Sequence, residues 1–473
     1  MTQVREHWGS RLGFILAAVG SAIGLGVLWK FPYTIGQNGG GLFLFTYFLC
    51  VIVIGIPVLI GELLLGRRSQ RAAVGAFETL AGDRPRWKVA GWFGVLSSFL
   101  IMSFYSVIAG WGMSYVLMSL SGFYQNLSSG EISDVFEKLS HSGSITVFWH
   151  FIFTLIVMSI VLTGVRKGIE FWSKLMTRAL FVILIALLCY SITLEGFQKA
   201  VHFIFYPDVE QFRFSSVLEA LGLAFFTLSL GQGIMISYGS YMRKKENIPQ
   251  MACVIGFSVI FVAIMAAMTI FPVIFTFGFE PQQGSGLIFK TLPYLFAKLP
   301  GSLVISTVFF TLFVFTALTS AIPFIEVVAT NIMELANWSR RKAVLFVAAG
   351  TFLFGIPSAL AFSQELFPSW QNVYGTNFLD TIDNLVSTWI IPVGGLLTAL
   401  FIGWGLKREI SQEEFPLGKG WAHFHRVWHF FMKWIIPLTI FLIILQKSGV
   451  INFDGGRHGS NAVEHEALRD SSS

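Results

Sequence analysis

The chain has 473 residues, of which 54% are hydrophobic and only 12% charged, with 49 phenylalanines and a formal net charge of +6; its mean hydropathy is +0.69. This composition excludes an ordinary water-soluble globule and points to a polytopic protein whose surface faces lipid. No basic cluster alternates with exposed aromatics as a nucleic-acid surface requires, so no nucleic-acid partner is expected.

Apolar runs of roughly 20 residues, long enough to cross about 30 Å of hydrocarbon, fall at 11–35, 41–66, 90–120, 146–164, 170–194, 216–240, 250–278, 302–333, 342–362, 377–405 and 428–447. The expectation is an all-α polytopic membrane protein of about 11 transmembrane helices in one domain, 1–448, followed by a disordered polar tail at 449–473. The first run continues too far without a cleavage site to be a removable signal. Arg5, Arg11, Arg67, Arg68, Arg71, Arg84, Arg86, Lys88, Arg166, Lys167, Arg243, Arg340, Lys407 and Arg408 all fall on one side of these spans. By the positive-inside rule that side, with the N-terminus, is cytoplasmic, and the setting is a cell inner (plasma) membrane. Cys50, Cys189 and Cys253 sit inside apolar spans without CxxC spacing, which reads as small buried hydrophobes.

The first span contains "SAIGLGVLWKFPY" at 21–33, with Gly24 and Gly26 in mid-run. The sixth contains "AFFTLSLGQGIMISYGSYMRKK" at 224–245, with Gly231 and Gly233 just after Ser229. These are corresponding members of two five-helix halves, about 11–194 and about 216–405, with an eleventh helix outside the repeat. Interrupted helices in matching positions of two repeats point to a transporter site at the bilayer midplane. Unwound backbone at that depth must line a cavity or be buried in protein. Half-helix N-termini suit an anion, and half-helix C-termini and free carbonyls suit a cation. Close helix packing through small residues is the competing explanation for one such helix, and the second break in register argues against it.

"REHWGSRLGFILAAVGSAIGLG", "WKFPY", "NGGG", "GIPVLIGELLLGR", "FFTLSLGQG", "SYMRKK" and "TALTSAIPFIE" together resemble the neurotransmitter:sodium symporter family in its short bacterial form, from Arg5 to about Trp404. The resemblance implies a LeuT-type fold of two inverted five-helix repeats, with helices 1 and 6 broken, and sodium-coupled import of amino acids. It implies that a substrate carboxylate lies against the amides of Leu25 and Gly26 with the Tyr105 hydroxyl. The substrate amino group would then take the carbonyls of Ala22, Phe226 and Thr227 and the Ser229 hydroxyl. Gly24 stands where monoamine carriers of the family place an aspartate, so this chain leaves room for a carboxylate. Ile101, Phe226, Gln232, Ser320 and Phe324 would line the side-chain subsite, mostly apolar and without a compensating charge, which favours a neutral hydrophobic amino acid.

The resemblance further implies a sodium site made of the carbonyls of Gly20, Ile23 and Thr316 with the hydroxyls of Thr319 and Ser320, oxygens suited to a hard cation. The family's other sodium site is depleted, because Val27 and Val259 stand where two asparagines are expected. One Na+ is therefore expected, and with Ala263 at the position linked to chloride dependence, no chloride. Lys30 and Asp383 occupy the outer gate, where Lys should pair more loosely than the usual Arg. Arg5 and Glu334 occupy the inner gate with Trp8 and Tyr241. Glu62, an ionisable group inside a span, needs an internal partner, and the family reading has it bond the unwound backbone. Arg178 stands where a helix-kinking proline is usual, which puts unwinding of the fifth helix in doubt.

An enzyme is not expected, since the sole constellation is His423, His425 and His429 at the start of the eleventh helix. A channel would need a ring or filter of one ligand type. The alternative within the fold is a proton-coupled or ion-independent amino-acid carrier. The sequence does not assign an oligomeric state.

Overall fold

A computed structural model describes residues 6–123, 129–207, 212–279, 285–363 and 365–451. Most of the polar tail and Arg5 therefore lie outside the described residues. Two helical pieces, α1 (Arg11–Ala22) and α2 (Gly26–Gln37), form one span bent by 45°. They are followed by α3 (Gly41–Ser69), α4 (Pro85–Leu120), α5 (Gly143–Leu162) and α6 (Val165–Ser191). A second interrupted span consists of α7 (Phe214–Thr227) and α8 (Ile234–Gly239). The chain closes with α9 (Ile248–Thr276), α10 (Ser302–Ala336), α11 (Arg340–Ala359), α12 (Phe378–Gly405) and α13 (Lys419–Lys447). Among the described residues nine helices, ten with the bent pair, are long and apolar enough to cross a membrane, and the interrupted α7–α8 stretch lies where the sixth of the eleven expected spans was read.

Side-chain oxygens start several helices, as caps for the otherwise unsatisfied first amides. Ser10 accepts from Gly13, Asn247 from Gln250, Ser339 from Lys342 and Asn377 from Asp380. α4 and α10 pack along their length at the centre. Phe45, Phe148, Phe257, Leu353 and Phe441 face outward, an apolar exterior that a bilayer would cover. Close backbone contact replaces bulk where α3 meets α8, since a Cβ on Gly66 would overlap the Ile236 carbonyl and one on Gly239 would stand 2.7 Å from the Leu63 carbonyl. Membrane helices gain van der Waals contact through such small residues.

The structure adds to and departs from the sequence reading at several places. α13 begins at Lys419 rather than about 428, because its first turns are amphipathic and too polar to register as a span. Short helices at Ala73–Ala81, Ser129–His141, Phe197–Phe205 and Thr291–Lys298 fill the connections. Of the cysteines, Cys50 is buried, Cys253 half-buried and Cys189 exposed, because the apolar exterior of a membrane bundle hosts the same residues as its core. α6 is an unbroken α-helix from Phe171 to Ser191, after a π turn at Val165–Glu170, and Arg178 stands on its exposed side.

Candidate functional site

Both interruptions meet in the middle of the bundle. In the second, residues 228–233 leave the helix with Ser229, Gly231 and Gly233 at φ of 54°, 72° and 71°, a left-handed region that glycine enters without penalty. The Gly231 amide, with no helical partner there, donates to Glu62 Oε1 at 2.7 Å. That is the internal partner Glu62 required, supplied by α3 to the unwound chain. The Ser229 hydroxyl donates to the Ser21 carbonyl at 3.2 Å, joining one break to the other.

A small enclosed pocket lies between the breaks, lined by Ala22, Gly24, Leu25, Gly26, Tyr105, Phe226, Ser229, Gln232, Ser320, Phe324 and Ser21. The Leu25 amide donates to the Tyr105 hydroxyl at 3.2 Å, so Tyr105 Oη keeps its own proton to donate. α2 begins at Gly26 on the pocket wall, and a helix N-terminus suits a carboxylate. A Cβ on Gly24 would stand 2.5 Å from Ser320 Oγ, and one on Gly26 2.6 Å from the Phe226 ring. No acid lines the pocket among the described residues. Ile101, fully buried on α4 four residues before Tyr105, is not part of its wall. Thr227 also stays off the wall, its hydroxyl 2.8 Å from Tyr47 Oη.

Of the residues expected to hold sodium, Gly20, Thr319 and Ser320 meet beside this pocket. Ser320 Oγ, on α10, donates to the Ser21 carbonyl at 2.8 Å and lies 3.4 Å from the Gly20 carbonyl. Thr319 Oγ1 is bonded to its own helix, at 3.1 Å from the Phe315 carbonyl and 2.9 Å from that of Thr316, and Thr316 Oγ1 donates to Leu312. Such bonds occupy hydroxyl protons and leave the oxygen lone pairs, which a cation uses. Ile23 ends α1, its amide bonded to Val19. The donor set is oxygen throughout and fits a small hard cation. Val27, Val259 and Ala263 are all fully buried, offering no side-chain oxygen at the other position.

Toward one end, Lys30 Nζ reaches both oxygens of Asp383 at 2.8 and 2.9 Å and Ser387 Oγ at 3.0 Å. One Nζ thus meets three oxygens, as a point charge without the fork of an arginine. The same Nζ stands 4.5 Å above the Phe226 ring, a cation–π contact at the pocket wall. Both partners border π turns, at Gly26–Lys30 and Val386–Ile390, features common at functional positions. Beyond them opens a cavity of about 440 Å³ bordered by Tyr33, Asp380 and Lys447 among others.

Toward the Arg-rich end the bundle is shut. Trp8 is buried, with Nε1 donating to the Tyr238 carbonyl at 3.0 Å and its amide to that of Tyr241 at 3.1 Å. Glu334 Oε1 accepts from the Ala72 amide at 2.8 Å. The Tyr241 hydroxyl donates to Glu326 Oε1 at 2.5 Å, and Arg340 reaches Glu326 Oε2 at 2.6 Å and the Val161 carbonyl at 2.9 Å. The Glu326–Arg340 pair was not singled out in the sequence, although an acid ending the apolar run "TALTSAIPFIE" signals a partnered charge. Nearby, His425 Nε2 lies 2.9 Å from Ser411 Oγ, and no group of three possible metal ligands occurs among the described residues.

The comparisons agree with this architecture. The profile of the "Sodium:neurotransmitter symporter family" matches residues 5–128 and 121–455. An uncharacterized sodium-dependent transporter of Bacillus subtilis, YhdH, is 38% identical over 94% of this chain and 98% of its own. One from Haemophilus influenzae is 32% identical over 94% and 98%. The crystal structure of MhsT in complex with L-phenylalanine superposes with a TM-score of 0.86 at 39% identity, covering 94% of this chain and all of that one. With two interrupted helices around one enclosed pocket and matches along nearly its whole length, the chain belongs to the sodium:neurotransmitter symporter family and has its LeuT-type fold.

Proposed function

We propose that the chain is a single-domain symporter, 1–448, that imports neutral amino acids with apolar side-chain bodies, coupled to one sodium ion, across a cell inner membrane with its N-terminus in the cytoplasm. The observation that carries the reading is the convergence at Gly24 of the Leu25 amide and the Tyr105 hydroxyl in a pocket walled by Phe226 and Phe324 without an acid. A buried carboxylate requires such donors. L-Phenylalanine bound to MhsT supports the same class of substrate. Gly20, Ile23, Thr316, Thr319 and Ser320 would hold the sodium. Val27, Val259 and Ala263 argue against a second sodium and against chloride. Transport would proceed by rocking of spans 1, 2, 6 and 7 against 3, 4, 8 and 9.

Uptake competition tests the carboxylate site. Leucine or an aromatic amino acid should compete with labelled substrate, and the corresponding decarboxylated amines should not. An amine binding as tightly as its parent amino acid would refute the site. Counterflow and saturation in proteoliposomes separate a carrier from a channel, and uptake driven by a pH gradient without sodium would favour a proton as the coupling ion.

A further inference from the structure

Gln232 sits between Gly231 and Gly233, both at positive φ, on the unwound stretch of the sixth span. Its carbonyl accepts from Ser98 Oγ at 2.7 Å, which ties this stretch to α4, the helix that carries Tyr105. Two glycine turns and a hydrogen bond thus hold one long amide side chain at the pocket wall. The residue is 1% exposed, and its Oε1 has no hydrogen-bond partner among the described residues.

A buried acceptor without a donor is destabilising, and native proteins leave few of them. Glu62 Oε2, Trp111 Nε1 and Tyr238 Oη are also unpartnered, but those residues do not line the pocket. Gln232 does, beside Phe226, Phe324 and Leu25. The proposed anchors for a zwitterion, the Leu25 amide, Tyr105 and Ser229, leave this amide unanswered. A ligand that satisfies the pocket therefore has an apolar body to lie against the rings and one donor to meet Oε1.

We infer that Gln232 determines specificity, and that the preferred substrates are neutral amino acids whose apolar side chain carries an O–H or N–H donor, the phenol and indole class, over phenylalanine and leucine. This rests on the reading of the pocket as an amino-acid site. A site that offers a hydrogen bond to a substrate hydroxyl discriminates strongly against the analogue lacking it, because the buried partner is left unpaired, whereas an apolar pocket discriminates weakly between similar shapes.

The experiment is equilibrium binding of tyrosine and phenylalanine to the purified full-length protein in saturating sodium, with tryptophan and 1-methyltryptophan as a second matched pair. Wild type should bind tyrosine about tenfold or more tighter than phenylalanine, equivalent to one such hydrogen bond, and tryptophan tighter than its N-methyl derivative. Gln232→Met, which keeps the volume and removes the amide, should abolish or reverse both preferences. Equal binding of tyrosine and phenylalanine by wild type, or a preference for tyrosine that survives Gln232→Met, overturns the inference while leaving the amino-acid site intact. Failure to bind any of these amino acids overturns the amino-acid reading as well. Should the variant not fold, the two wild-type ratios still decide.

Discussion

A methyl group at Gly24 has no free space to enter, since its carbon would stand 2.5 Å from Ser320 Oγ and 3.3 Å from Tyr105 Oη. Overpacking of this kind typically costs about 1–3 kcal/mol, here levied on the two hydroxyls proposed to serve sodium and substrate. Gly24→Ala should therefore weaken amino-acid binding at least about tenfold, with thermal stability in detergent changed far less; unchanged affinity would mean that the pocket opens elsewhere. Asp383 gives a different outcome. It touches Ser387 and Lys30, whose Nζ stands over the Phe226 ring, so Asp383→Asn should slow uptake more than it weakens binding; normal uptake by this variant would reduce the pair to a surface contact. At this scale the legible positions were those whose chemistry is out of place in an apolar span: Gly24, Ser229, Glu62 and Asp383. Tyr47 and Ser98 were not legible, because a hydroxyl in an apolar helix usually bonds its own backbone. Ile101 does not border the pocket, and nothing in sequence marks that, because an apolar residue facing a substrate and one facing a neighbouring helix look alike.

Among the helices, α10 connects the chemistry at its centre to the closure at its end. Thr316, Thr319 and Ser320 lie in its middle, and less than two turns further on Glu326 is fully buried against Arg340 of α11 and Tyr241 after α8. Removing one partner of a buried pair leaves the other uncompensated, typically at about 3–5 kcal/mol. Arg340→Ala should accordingly loosen the Arg-rich end: a cysteine placed at Ser240 would be labelled faster by a membrane-impermeant thiol reagent applied from that side, and uptake would fall. Unchanged labelling would show that Trp8 and Glu334 suffice to hold the end closed. The helix breaks were legible because paired glycines inside a 20-residue apolar run have few other uses. The π turns and the early start of α13 were not, since an extra residue per turn leaves no compositional mark and an amphipathic first turn resembles a loop.

For the whole molecule, the pocket lies between the hydrogen-bonded Arg-rich end and the opposite cavity, and Phe226 borders both pocket and cavity. The overall architecture was legible in advance because two matched interruptions specify a repeat; the expectation of a single ion rests only on residues that are missing. Buried Val27 and Val259 predict a sodium Hill coefficient near one for uptake, abolished in the Thr319→Ala, Ser320→Ala double variant. A coefficient clearly above one, or sodium dependence surviving that variant, would contradict single coupling. The same two valines also limit how far such a carrier could concentrate its cargo. One positive charge moved per cycle is worth about 2.3 kcal/mol at 100 mV, or roughly a 50-fold ratio at about 1.4 kcal/mol per tenfold. With a tenfold sodium gradient the ceiling is on the order of 500-fold accumulation, whereas a two-sodium relative could reach roughly the square of that. With one sodium per cycle, each amino acid would be moved at half the ionic cost of a two-sodium cycle.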